Sequence, residues 1–301
     1  MPKRSQRPRP NRRYGAGELF GNAVSCLSPD QLRRITIVSD VKKKCPFKGD
    51  EADCTKKGGV CSLVLYEAGP QETGTVIGLP ITTCPNRFLE NNLVHRWVSQ
   101  TILGFEDSVV VSEIPFLMGD KDSDIEAEDG VGRIDKVLID VRGDQLRWCA
   151  LEMQAVYFSG AQMERDFTVM RDWQGPGLPF PPKHRRPDYR SSGPKRLMPQ
   201  LQIKVPTLRR WGKKMAVVVD IGFWESLWPM RQAKHITNAD IVWFVVGYEE
   251  DAKAGRYRLK KHEIFLTTLE DAVEGLTGGI PVSLDEFEKS IRGKLERVRA
   301  R

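Results

Sequence analysis

Apolar residues recur at helical spacing along several stretches of the chain. After Pro85 and Asn86, the side chains Phe88, Leu89, Leu93, Trp97 and Ile102 fall on one stripe, which predicts a helix opened by that proline. The same period predicts helices over 162–173, 197–211, 269–276 and 284–298. Apolar or β-branched runs predict a buried strand at 108–111 and further strands over 133–141, 146–158, 215–220, 241–246 and 256–266. Helices and strands mixed around one sheet imply an α/β (mixed α+β) enzyme domain.

Other stretches lack such a period. Residues 1–13 carry too little apolar surface to offset chain entropy, so a disordered arm is expected there. From Cys45 to Cys84 the chain is rich in Gly, Lys and Thr and poor in large apolar residues, which calls for a staple other than a hydrophobic core. Residues 120–129 read as an acidic loop, and the Pro- and Arg-rich segment 175–194 as a long functional or mobile one. The expected division is an arm at 1–13, an N-terminal region at 14–86 and a larger domain at 87–301.

Charge narrows the partners. Lys and Arg total 47 against 40 for Asp and Glu, a formal net charge of +7. The excess is clustered in the arm and again through Lys183, Arg185, Arg186, Arg190, Lys195, Arg196 and Lys204. Such stripes suit a polyanion, because neutralising each phosphate releases a condensed counterion; a solvated basic face is the plainer alternative. No run approaches the length of a membrane span and the basic N-terminus is not a secretion signal, so a soluble intracellular protein is expected.

Gly143 and Asp144, between two strand-like runs, match a two-residue type II′ hairpin turn. Counting outward from it places Asp135 opposite Glu152 on one face, and alternation adds Gln154 to that face. Two adjacent carboxylates repel unless a cation sits between them, and a hard divalent ion such as Mg²⁺ fits oxygen ligands. Glu113, after the first strand, is a candidate further ligand. For phosphodiester hydrolysis such an ion would polarise the phosphate and activate a water. Solvated acids on a hairpin edge are the alternative.

Of six cysteines, Cys45, Cys54, Cys61 and Cys84 fall in the core-poor segment, while Cys149 reads as a small core residue and Cys26 stands apart. A tetrathiolate holding zinc or a single iron would staple that segment; unliganded thiols remain open.

Several of these pieces together resemble one family, the NotI-type restriction endonucleases. The runs Cys45-Pro46-Phe47-Lys48, Cys54-Thr55-Lys56, Gly59-Val60-Cys61-Ser62 and Thr83-Cys84-Pro85-Asn86 are similar to that family's metal-binding region. Leu151-Glu152-Met153-Gln154-Ala155-Val156 resembles its catalytic strand. Asp135 in Gly132-Arg133-Ile134-Asp135 matches its upstream aspartate, and Glu113 in Ser112-Glu113-Ile114-Pro115 its additional acid. Stretches 14–20 and 197–214 also look like the family's.

The resemblance implies a PD-(D/E)XK nuclease core, a mixed sheet flanked by helices, with a small four-cysteine metal-binding subdomain. It implies a magnesium-dependent type II endonuclease acting as a homodimer on double-stranded DNA at a palindromic, GC-rich site. Asp135, Glu152, Gln154 and Glu113 are then its catalytic residues, and Cys45, Cys54, Cys61 and Cys84 the ligands of a structural iron. The third-position lysine usual in a PD-(D/E)XK core is replaced by Gln154, which offers no positive charge, so activation of the water falls mainly to the metal. A cognate DNA methyltransferase and a bacterial cytoplasm follow from the same resemblance. Arg185, Arg186, Arg190, Lys195, Arg196 and Lys204 are the candidate DNA contacts, to guanine edges or, more readily, to phosphates. Two competing readings are a non-catalytic zinc-containing DNA-binding protein and a nuclease of repair or defence without sequence preference.

Overall fold

The computed structural model describes residues 10–37, 43–49, 52–117, 132–278 and 282–299. The expected acidic loop at 120–129, and most of the expected arm, lie outside the described residues. Arg12 and Arg13, assigned to that arm by sequence, instead open the first strand, β1 (Arg12–Leu19). Arg12 pairs with Glu67, and Arg13 donates to the carbonyls of Pro181 and Pro182.

In chain order there follow β2 (Asn22–Ala23), α1 (Pro29–Ile37), β3 (Val60–Ala68), β4 (Thr73–Thr82) and α2 (Leu93–Ile102). Next come β5 (Val109–Leu117), β6 (Gly132–Asp140), β7 (Arg147–Met153), β8 (Phe158–Gly160) and α3 (Glu164–Asp172). After these stand β9 (Leu178–Pro179), β10 (Arg185–Pro187), α4 (Tyr189–Ser192), α5 (Met198–Arg210), β11 (Met215–Asp220) and α6 (Ile221–Glu225). The last elements are β12 (Ile241–Asp251), β13 (Arg256–Thr267), α7 (Leu269–Thr277) and α8 (Leu284–Arg299).

Six strands form a mixed sheet in the order β13-β12-β11-β7-β6-β5. β11 runs parallel to both β7 and β12, and the remaining pairs are antiparallel. The central strands are apolar on both faces because helices cover both. On one face Cys149, Leu151, Ala216, Val218 and Phe244 pack with Val94, Trp97 and Val98 of α2. On the other, Ala150, Val217, Val219 and Trp243 pack with Leu201, Val205 and Leu208 of α5 and with Ala272 and Leu276 of α7.

A second, five-stranded sheet has the order β2-β1-β3-β4-β9. The region expected to lack a core therefore has one. Ala16, Leu19, Leu32, Val64 and Tyr66 meet Phe167, Met170 and Leu178, residues that arrive about a hundred positions later in the chain. Glycines within β1 and β4, and a core completed from distant segments, hid this pattern. The two sheets are joined at Asp220, whose fully buried carboxylate accepts from the backbone N–H of Thr82 and caps α6 through Phe223 N–H.

Three further expectations are corrected. The run at 108–111 belongs to an exposed edge strand, β5, not a buried one. The helix expected from Pro85 is a 3-10 segment up to Asn92, interrupted by left-handed Asn91 and Asn92, and the α-helix starts only at Leu93. Asn tolerates positive φ well enough to make such a break. The segment 175–194 is no featureless loop, since it holds β9, β10 and α4.

Candidate active site

β6 and β7 pair from Asp140↔Arg147 to Lys136↔Leu151. One step further in this register sets Asp135 across from Glu152, as counting from the turn predicts. The turn itself differs. Residues 141–146 lie outside the ladder, and Gly143 does not adopt the positive φ that a type II′ turn demands. Asp140 accounts for the change: its carboxylate accepts from the Arg142 backbone N–H and guanidinium and from Arg147, closing a wider turn with unaltered register. These cations hold the Asp140 carboxyl at about 2.

Alternation along β7 points Ala150 and Glu152 toward α5, and Cys149 and Leu151 toward α2. On α5 the inward face is Leu201, Lys204, Val205 and Leu208, an i, i+3, i+4, i+7 set. Lys204 is thus carried beneath the sheet. Its Nζ donates to Glu152 Oε2 at 2.7 Å, to Asp135 Oδ1 at 3.1 Å and to Gln200 Oε1 at 2.7 Å. Glu152 and Lys204 side chains are only 4% and 6% exposed, whereas Asp135 is 49% exposed, so the cluster opens to solvent on one side. Lys204, grouped by sequence with the DNA-contacting cations, is therefore buried inside the acidic pair.

Burial, reinforced by the Asp135 charge, pushes the Glu152 carboxyl up to about 7, against the pull of Lys204. Burial works to lower the Lys204 ammonium too, but Glu152 and Asp135 outweigh it and the net direction is upward. A cationic group thus already neutralises the two acids at the point where two carboxylates would bind a divalent ion. That donor set, two carboxylates around one positive centre, suits a hard cation.

Gln154 lies two residues beyond Glu152, is buried, and extends the pairing with β11 through its N–H to Val218 O at 2.9 Å. Its Nε2 donates to Ala155 O at 2.5 Å, so the amide orientation is fixed by the backbone. Glu113 falls between the pairs Ser112↔Lys136 and Ile114↔Ile134, at the register position beside Asp135. It is exposed and left-handed, with φ 57°. Among the described residues no three or more His, Cys, Asp or Glu side chains come together closely enough to hold a metal. The structure thus joins Asp135 and Glu152 through Lys204 and does not draw Glu113 into a three-carboxylate group.

The cysteines occupy two short loops and a strand. Cys45 N–H donates to Ala52 O and Cys54 N–H to Lys43 O, making a small knuckle around the Lys44↔Asp53 bridge. Thr83 and Cys84 N–H both donate to Cys61 O, which sets Cys84 beside β3. Cys45, Cys61 and Cys84 are buried and Cys54 half-buried. The Cys84 thiol is pushed up by burial and feels the charges of Cys45 and Cys54; Cys61 is raised by burial and by Glu18, and also feels Cys84. Cys84 is thus within electrostatic reach of the other three thiols, and sulfur donors match the chemistry of a soft tetrathiolate site, although the side chains do not close into one. Cys149 is fully buried among apolar side chains and raised to about 12, a core residue as its sequence suggests.

The basic candidates separate. Arg185 is buried, paired with Asp166 through two hydrogen bonds of 2.7 Å, and donates to the carbonyls of Ala161, Gln162 and Tyr14. It ties β10 to α3 and presents no free guanidinium to DNA. Arg186, Arg190, Lys195 and Arg196 are exposed, and Arg196 stacks 3.7 Å over Tyr157.

No helix among the described residues is long and apolar enough to cross a membrane. A family described as Restriction endonuclease NotI matches residues 31–259, a span that includes both acids, Lys204 and the four cysteines. No curated protein matches the chain.

Proposed function

The chain belongs to the NotI restriction endonuclease family, which acts on double-stranded DNA as a site-specific type II nuclease, and from that premise we propose that Asp135, Glu152 and Lys204 form its hydrolytic centre. The observation that carries this reading is Lys204 Nζ held by both acids, at 3.1 and 2.7 Å.

Asp135 and Glu152 would hold a catalytic Mg²⁺, with Glu113, at the register position beside Asp135, a further candidate ligand. The chemistry such an ion would supply is polarisation of the scissile phosphate and a lowered pKa of the attacking water. The residues do the rest. Lys204 supplies the positive charge that Gln154 lacks and stabilises the negative charge developing at the phosphate. Gln200 fixes the direction of the Lys204 ammonium. Gln154, its amide locked on Ala155, contributes an acceptor that orients water. In this reading the core is of the PD-(D/E)XK type, with its lysine supplied by a helix instead of by the catalytic strand.

Cys45, Cys54, Cys61 and Cys84 would hold one structural iron, or zinc, in place of their thiol protons. Two copies act on a palindromic, GC-rich site, each cutting one strand, with Arg186, Arg190, Lys195 and Arg196 on the phosphates or base edges. A methyltransferase of the same site protects the DNA of a bacterial cytoplasm.

The test is digestion of a DNA of known sequence with Mg²⁺. Discrete fragments are expected, with Glu152→Ala abolishing cleavage while binding in Ca²⁺ persists. Metal-independent binding without cleavage would instead favour a DNA-binding protein, and a smear a nuclease without sequence preference.

A further inference from the structure

Among the described residues, α8 is unlike the other long helices. None of its residues is buried, and Leu284, Phe287, Ile291, Leu295 and Val298 are between 43% and 71% exposed. At 100° per residue these five side chains fall on one stripe about 80° wide and roughly 21 Å long. Ser283 and Glu286 cap its start reciprocally. A lone 16-residue helix with Gly293 in its interior is nonetheless marginal in water, so the apolar stripe requires a partner.

The stripe reads the same in both directions. Its successive spacings are 3, 4, 4 and 3, centred on Ile291. A second copy laid antiparallel about a two-fold axis at Ile291 therefore brings Leu284 onto Val298, Phe287 onto Leu295 and Ile291 onto itself.

Charge follows the same symmetry. The first turns carry Asp285, Glu286 and Glu288 with no base, and from Lys289 onward the bases are Lys289, Arg292, Lys294, Arg297 and Arg299 against Glu296 alone. On one flank of the stripe stand Asp285 and Glu288, and further along the same flank Arg292 and Arg299. The antiparallel arrangement sets Glu288 beside Arg292 of the other copy and Asp285 beside Arg299. A parallel arrangement would set acidic ends together and basic ends together.

We propose that α8 is a self-association element, docking antiparallel on α8 of a second copy through the stripe centred on Ile291. The helix lies outside the span matched by the family, so the contact belongs to this chain's own C-terminal segment. It gives the two-copy reading above a physical element, and association and cleavage are measured separately so that either can fail alone. Five side chains per copy make a small interface, well below about 1,200 Å², so the dimer is concentration-dependent.

Sedimentation velocity of the full chain over about a hundredfold range of concentration should show a reversible monomer–dimer equilibrium. Ile291→Glu should leave a monomer with an unchanged melting profile of the body. Glu288→Arg and Arg292→Glu should each weaken association about tenfold, and mixing the two variants should restore it in trans, which no effect within one helix can do. Leu284→Cys and Val298→Cys chains should crosslink with each other between those positions. Glu152→Ala should associate as the unmodified chain does. A monomer at all concentrations, a dimer indifferent to Ile291→Glu, crosslinking of Leu284→Cys to itself at that position, or adsorption to anionic vesicles in place of self-association would each overturn the proposal.

Discussion

The ion clusters around Arg87 and around Lys204 are both buried, yet they are built differently. Arg87 is completely buried; its guanidinium donates to Glu18, to Glu90 and to the carbonyl of Tyr257, and lies 4.5 Å from the ring of Phe47. Glu18 also accepts from Ser62, and Glu90 from the backbone of Leu259. Here too one cation serves two carboxylates, but all three groups are buried and each is held by protein partners. In the Lys204 cluster one carboxylate is buried and the other half open, and the ammonium is shared between them. A closed cluster fixes where strands meet, whereas an open one with competing protonation states can exchange its cation. The difference separates a structural pin from the site proposed to be catalytic more clearly than charge or burial alone.

Removing each cation should therefore have opposite signatures. Arg87→Met leaves Glu18 and Glu90 buried without compensation, and should cost about 3–5 kcal/mol of stability in urea unfolding, with divalent ions giving no recovery. Lys204→Met should instead cut cleavage about 100- to 1000-fold while unfolding at a urea concentration much nearer the parent, because Asp135 is solvated and Glu152 can take up a proton. Mg²⁺ should raise the stability of this second variant. Equal destabilisation of the two variants, with no Mg²⁺ response in either, would reduce the Lys204 cluster to another structural pin.

The smallest expected effect is on pH dependence. Because the Glu152 carboxyl sits near 7, above its unfolded value, its share of stability is present in acid and is lost as pH rises through about 7. Metal-free protein should lose stability over that interval and recover it when Mg²⁺ replaces the proton. Cation affinity, measured by calorimetry, should rise up to about tenfold per pH unit below 7 and level off above it, and Glu152→Gln should flatten the curve.

Much of this was legible in the chain. The register that faces Asp135 with Glu152 follows from the centre of symmetry of the turn, and it survives although Asp140 draws in Arg142 and widens the loop. Lys204 was misplaced because it belongs to a run of basic residues that reads as a surface. Its position between Leu201 and Leu208 on the apolar face of the helix was the signal that it points inward. Arg185 carried no such signal: its burial depends on Asp166, a contact between segments that no local period encodes. The N-terminal sheet was obscured for the same reason, since its core is completed from α3 and β9.

That last feature bears on how the protein is made. With Phe167, Met170 and Leu178 required to fill the N-terminal core, and β9 to border its sheet, a nascent chain that has emerged only as far as the fourth cysteine cannot finish folding. The segment that carries the four thiols therefore completes its core only after about a hundred more residues have emerged.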